Sequence, residues 1–171
     1  MSETEQTLPV STCDFWRTRI NRTLAQNRDI HAAIFDTDDE NWKLQQSQTK
    51  ALLPKFIRPG QSVLDTGCGY GAVYECVPPG VLYTGVDISP DLIQMACFRH
   101  PEATFSVEDL RRLPYEDKQF DIAVCRSMRE MILKNYGEME WGLIYSEIQR
   151  VSRRMLLMEY GDPMPCQLVE Y

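Results

Sequence analysis

The sequence predicts a doubly wound α/β fold on a mostly parallel sheet, and three observations lead there. Five short apolar runs alternate with helical stretches after residue 60. The first run, Val63-Leu64-Asp65, enters a turn carrying Gly67, Gly69 and Gly71. The segments between runs are long enough for the crossover connections that parallel neighbours require. The 171 residues, 43% hydrophobic and 25% charged, suit one compact domain. Within it, residues 1–59 read as N-terminal helices and 60–171 as the α/β core.

Residues 1–10 are polar and read as a loose leader. Ser11 or Thr12 is placed to cap a helix to about residue 26, in which Phe15, Trp16, Ile20 and Leu24 recur at helical spacing. After the short apolar segment 31–35, Asp36 to Glu40 offers a loop or N-cap for a helix carrying Trp42, Leu52, Leu53 and Phe56, which Pro54 is expected to kink or shorten. Ser62 to Asp65 is the first strand, and Gly71 to Val77 has room for about two helical turns before Pro78-Pro79-Gly80. Val81 to Val86 is the second strand. Ser89-Pro90 then opens a helix to about Phe98, with serine as cap and proline in the first turn. Ala103 to Val107, Phe120 to Val124 and Met155 to Tyr160 are the remaining strands. Helices start at Met128 and span Met139 to Val151.

Several classes are disfavoured by composition. No stretch reaches the roughly 18 to 20 apolar residues of a membrane span, and the acidic N-terminus is unlike a signal peptide, so the expectation is a cytoplasmic protein away from membranes. The six cysteines form no CxxC pair and read as reduced, mostly buried thiols. His31 and His100 lack metal-ligand spacing, so no metal is expected. The net charge of -7 is concentrated in residues 61–110, where Asp65, Glu75, Asp87, Asp91, Glu102, Glu108 and Asp109 face Arg99 alone. Such a block suits a cationic ligand better than a polyanion, and no cluster of Lys and Arg marks a nucleic-acid surface.

The chemistry-bearing residues follow strand ends. Glycines at 67, 69 and 71 allow a backbone to approach a ligand closely. Gly67-x-Gly69-x-x-Ala72 also satisfies the dinucleotide fingerprint, with Asp87 in the place of a ribose-binding acid, so the turn alone leaves the cofactor open. A carboxylate at Asp87 can accept two hydrogen bonds from a ribose diol. Glu108-Asp109-Leu110, after the third strand, can accept from an exocyclic amine and donate to a ring nitrogen.

On these residues the chain resembles the class I S-adenosylmethionine-dependent methyltransferases, through VLDTGCGYG at 63–71, GVDIS at 85–89, EDLRRLPYEDKQFDIAVC at 108–125 and EIQRVSRRMLLMEYG at 147–161. The resemblance implies a Rossmann-like methyltransferase fold with S-adenosyl-L-methionine as cofactor. It implies that Asp65, Thr66, Gly67, Cys68, Gly69 and Gly71 hold the methionine half, Asp87 and Ile88 the ribose, and Asp109 with Leu110 the adenine. Cys125 and Arg126 match positions beside the methionine part. Two physical points agree. Asp65 would repel a pyrophosphate and attract an ammonium group, and after residue 125 too little chain remains for a second mononucleotide-binding half.

A sulfonium is already a good leaving group, so in-line displacement needs mainly positioning of the nucleophile. Glu130 or Tyr115 could serve as base, and Arg126 or Arg129 could grip an anionic group on the acceptor; Glu130 and Arg129 are the catalytic candidates. A small-molecule acceptor is the expectation. Trp16, Phe35 and Trp42 suit a lid over the cofactor, although aromatics at helical spacing also suit a core. Relatives in the family add a helix and an antiparallel strand pair after the position of Gly161. Here a shortened C-terminal end is expected, with Cys166 to Tyr171 as one edge strand and a homodimer or partner protein covering that edge. The alternatives are a non-catalytic cofactor-binding or scaffold protein and an NAD-dependent oxidoreductase.

Overall fold

The computed structural model describes residues 17–22, 38–159, 161 and 163–171. Residues 17–22 are helical, and the expected N-cap at Ser11 or Thr12 and the side chains of Trp16, Leu24 and Phe35 lie outside the described residues. The remaining helices are α1 (Asp39–Phe56), α2 (Pro90–Arg99), α3 (Arg129–Tyr136) and α4 (Glu138–Val151). The strands are β1 (Ser62–Thr66), β2 (Leu82–Asp87), β3 (Thr104–Val107), β4 (Ile122–Arg126), β5 (Arg154–Met158) and β6 (Cys166–Glu170). They form one sheet in the order β3-β2-β1-β4-β5-β6. The first five are parallel; β6 runs antiparallel to β5, pairing Met158 with Cys166 and Arg154 with Glu170. The mostly parallel sheet and the edge strand are as expected. No helix among the described residues is long and apolar enough to cross a membrane.

Local chemistry accounts for the element boundaries. The Asp38 side chain accepts from the Asn41 amide at 2.8 Å and caps α1. Ser89 accepts from the Leu92 amide at 3.4 Å, with Pro90 opening α2. Pro54 lies within the last turn of α1, which runs on to Phe56, so the proline does not end the helix early. The two helical turns expected over residues 71–77 reduce to a 3-10 turn at Tyr74–Cys76. Gly71 at φ 90° leaves the helical region, and Pro78 follows at once, so no α-helical register can be established.

β1 and β4 are buried on both faces, as central parallel strands must be. Their side chains alternate. Leu64, Ala123 and Cys125 join Ile144, Ile148 and Val151 of α4 in one core layer. Val63, Ile122 and Val124 join Leu53 of α1 and Ile57 in the other. Truncating a fully buried leucine such as Leu64 or Leu53 in such a layer typically costs about 2–5 kcal/mol. Packing on both sides leaves the C-terminal strand ends in one row, where Thr66 pairs with Val86 on one side and with Cys125 on the other.

Candidate functional site

The loops leaving that row carry most of the residues singled out above. The amides of Gly67 and Cys68 both donate to the Val86 carbonyl, at 2.8 and 2.9 Å, bending the chain over the end of β2. Gly67, Gly69 and Gly71 all have positive φ. The space where a Cβ of Gly69 would stand holds no atom within 4 Å, so the turn presents bare backbone to an open side. At Gly71 the reason for glycine differs: a Cβ would lie 2.8 Å from the His100 ring. Thr66 is fully buried and its hydroxyl donates to the Val124 carbonyl at 3.0 Å, tying β1 to β4.

Two carboxylates flank the turn, and they differ. Asp87, at the end of β2, accepts from the Gly69 amide at 3.0 Å and from the Ser89 amide at 2.9 Å, each on a separate oxygen. Each oxygen retains a second acceptor position. Burial raises its pKa above the ordinary value, while the amides of Ser89, Gly69 and Ile88 hold the rise back. Asp65, 1% exposed, instead receives the Tyr83 phenol at 2.5 Å. Burial pushes its pKa up to about 7, opposed by the Tyr83 hydrogen bond and the Arg126 charge. A carboxyl so enclosed braces β1 against β2, and its own charge near neutral pH is partial.

The acidity of residues 61–110 is also less available than its count suggests. Glu75 pairs with Arg99 at 2.6 Å, Asp91 with Arg17 at 3.3 Å, and Asp109 with Arg111 at 2.5 Å. The Arg111 guanidinium holds the Asp109 carboxyl below its ordinary range. Leu110 is buried in the core layer beside α4. An exocyclic amine at Asp109 would therefore share that carboxylate with an arginine.

At the end of β4, Cys125 is fully buried and its thiol is pushed up to about 12 by burial, so it acts as core. Arg126 is buried beside it. Its guanidinium lies 5.1 Å from the centre of the Trp42 ring and donates to Gln46 Oε1. Gln46 Nε2 donates onward to the Ala72 carbonyl at 3.1 Å, and Trp42 packs on Tyr70 with ring centres 6.2 Å apart. Thus α1 is pinned over both the glycine turn and the end of β4. Arg129 and Glu130 occupy the first turn of α3, half-buried and exposed respectively. Tyr115 packs edge-on against Phe120 at 5.0 Å and shares a 3.4 Å contact with the Ser106 hydroxyl, a packing role.

Sequence reasoning passed over Glu159, the residue following β5. It is 9% exposed, and neither carboxylate oxygen has a hydrogen-bond partner among the described residues. Glu159 falls inside the run Met155 to Tyr160 expected as the fifth strand, which ends at Met158 instead, so no strand-end position marked it in the sequence. Among the described residues no group of three His, Cys, Asp or Glu side chains could hold a metal ion.

A family described as a methyltransferase domain matches residues 64–155. A demethylmenaquinone methyltransferase of Tropheryma whipplei (strain Twist) is 30% identical over 112 residues, covering 63% of this chain and 45% of that protein. The chain thus spans less than half the length of that relative. A SAM-dependent methyltransferase from Methanosarcina mazei superposes with a TM-score of 0.56 at 26% identity, covering 64% of this chain and 57% of the other. Magnesium protoporphyrin IX methyltransferase from Synechocystis, crystallised with bound SAM, shares the fold with a TM-score of 0.67 at 21% identity, over 95% of this chain and 81% of that one.

Proposed function

The chain belongs to the methyltransferase-domain family, and from that premise we propose that it binds S-adenosylmethionine at the C-terminal ends of β1, β2 and β4 and transfers the methyl group to a small-molecule acceptor. The observation that carries the reading is the bare Gly69 backbone beside the Asp87 carboxylate, a cradle that a Cβ would fill. The residues present suit a nucleoside with a cationic end. Asp87 has acceptor positions left for a diol, the turn offers backbone without side chains, and Asp65 disfavours a pyrophosphate. When bound, the cofactor supplies a methyl group already activated by its sulfonium.

The remaining work falls to the chain. Asp87 and Ile88 hold the ribose end, the turn from Asp65 to Gly71 the methionine end, and Asp109 with Leu110 borders the adenine end. Arg126 borders the cofactor on the β4 side with Cys125 packed behind it, and, fixed by Gln46 and Trp42, presents a buried positive charge there. Arg129 and Glu130 at the start of α3 flank the space left for an acceptor, where orientation supplies most of the acceleration. The outer edge of β6 remains the face on which a second copy or a partner protein is expected. A single monomeric species in sedimentation across micromolar concentrations would remove that expectation.

The function is tested by calorimetry with S-adenosylhomocysteine and NAD+, followed by transfer of labelled methyl from the cofactor into a metabolite extract, RNA and protein. Saturable binding of the first and label in the metabolite fraction support the reading. Binding of NAD+ alone refutes it, and label confined to RNA or protein overturns the small-molecule assignment.

A further inference from the structure

Glu159 has no task in the reading above, yet its setting is unusual. Ser127, the residue after β4, donates its amide to the Met158 carbonyl at 2.7 Å, so Ser127 and Glu159 leave neighbouring strand ends together. The Ser127 hydroxyl is buried without a hydrogen-bond partner among the described residues, like both oxygens of Glu159. Ser127 also has φ 55°, a left-handed conformation that a non-glycine residue rarely adopts. Orphaned buried polar groups and strained backbone each destabilise a fold unless something offsets them. Their coincidence at two neighbouring strand ends points to a group from outside that completes the bonding.

We propose that Glu159 and Ser127 bind the phenolic or enolic hydroxyl of the methyl acceptor, with Glu159 as the general base that takes its proton. The proposal rests on the function given above and names the chemical class of its substrate. In the step, the acceptor oxygen attacks the methyl carbon and the carbon–sulfur bond breaks. Its electron pair stays on sulfur, giving a neutral thioether. The hydroxyl proton passes to a Glu159 oxygen, leaving a methyl ether and a carboxylic acid.

The groups facing Glu159 are Arg129 and Glu130 of α3 and Cys125 of β4. Burial and the Glu130 charge push its pKa up to about 7, and Arg129 opposes them. A base near neutrality suits general-base work, and a phenol near pKa ~10 is within its reach, whereas an aliphatic alcohol is far above it. An ammonium acceptor would ion-pair with the carboxylate and have no lone pair to donate.

The test uses the full chain and 4-nitrocatechol, whose visible band reports ionisation of its hydroxyl. The probe is titrated with and without S-adenosylhomocysteine, in wild type, Glu159→Gln and Ser127→Ala. The expected result in wild type is a saturable rise of the ionised band near pH 7, where Glu159 is partly ionised and part of the free probe is still neutral. The shift disappears in Glu159→Gln and weakens about tenfold in Ser127→Ala, one hydrogen bond's worth. S-adenosylhomocysteine affinity stays within about threefold in both variants, because neither group is assigned to the cofactor. No shift in wild type, or an equal shift in Glu159→Gln, overturns the proposal. Loss of S-adenosylhomocysteine binding in wild type overturns the cofactor reading instead, and the probe arm without it still reads Glu159. Should the glutamine variant fail to fold, Glu159→Asp is measured, and an undiminished shift there counts against the assignment.

Discussion

The Gly69 amide donates to the Asp87 carboxylate at 3.0 Å, so the turn after β1 is held in shape by the acid at the end of β2. One side chain thereby shapes the backbone cradle and lines it. A ligand contacting Asp87 would find the turn already arranged, which lowers the ordering cost of binding.

Replacing Asp87 separates these effects. Asp87→Ala is expected to weaken S-adenosylhomocysteine binding by at least about 100-fold in calorimetry, since a charge-assisted bidentate contact and the turn are lost together. Asp87→Asn keeps the size but aims an amide NH2 at the Gly69 or Ser89 N–H, and is expected to cost about 1–3 kcal/mol in denaturant unfolding.

Two alanine substitutions in the glycine turn should part company. At Gly69 a Cβ meets nothing, so Gly69→Ala is expected to lose about 1 kcal/mol of stability from the positive φ while cofactor affinity falls steeply. At Gly71 the Cβ strikes the His100 and Phe105 rings, so Gly71→Ala is expected to lose stability first, by about 2 kcal/mol or more in thermal unfolding.

The buried Asp65 predicts a pH dependence of stability. Its carboxyl ionises at about 7 in the fold against 3.8 ordinarily, so between those values the folded chain keeps a proton that the unfolded chain has lost. Its contribution is full below about pH 4, falls as pH rises towards 7 and is constant above. The unfolding free energy from urea titration should decline between pH 5 and pH 7 by up to ~1.4 kcal/mol per pH unit from this group, and Asp65→Asn should flatten the decline. Glu159 adds a slope of the same sign, which Glu159→Gln removes.

Gln46 joins α1 to two places at once. Gln46→Ala is expected to cost about 1–2 kcal/mol for two lost hydrogen bonds and to speed amide exchange in α1 and in the segment 70–76. Unchanged exchange in those segments would show that the bridge carries no weight.

The succession of strands along the chain, the glycine turn and the acid ending the second strand at Asp87 were legible in the sequence because each rests on short-range pattern: apolar runs, Gly spacing, an acid at a strand end. Other features depend on contacts between distant residues. Arg17 reaches Asp91 across 74 positions, so the acidic block could not be discounted from composition. The Asp65–Tyr83 bond depends on β1 and β2 lying side by side in parallel, a pairing of residues 18 positions apart. Glu159 was passed over because its burial arises from the pairing of β5 with β4 and β6, information no local window contains.

The bridge from Gln46 to Ala72 and Arg126 bears on how this scaffold can be recombined. A chimera exchanging α1 with a relative's helix would sever a strut shared by the turn after β1 and the end of β4, 54 positions apart in the chain, counting from Ala72 to Arg126. Gln46, Trp42 and Arg126 should therefore be transplanted as one module, and shuffled libraries that split them should be depleted among clones that stay folded.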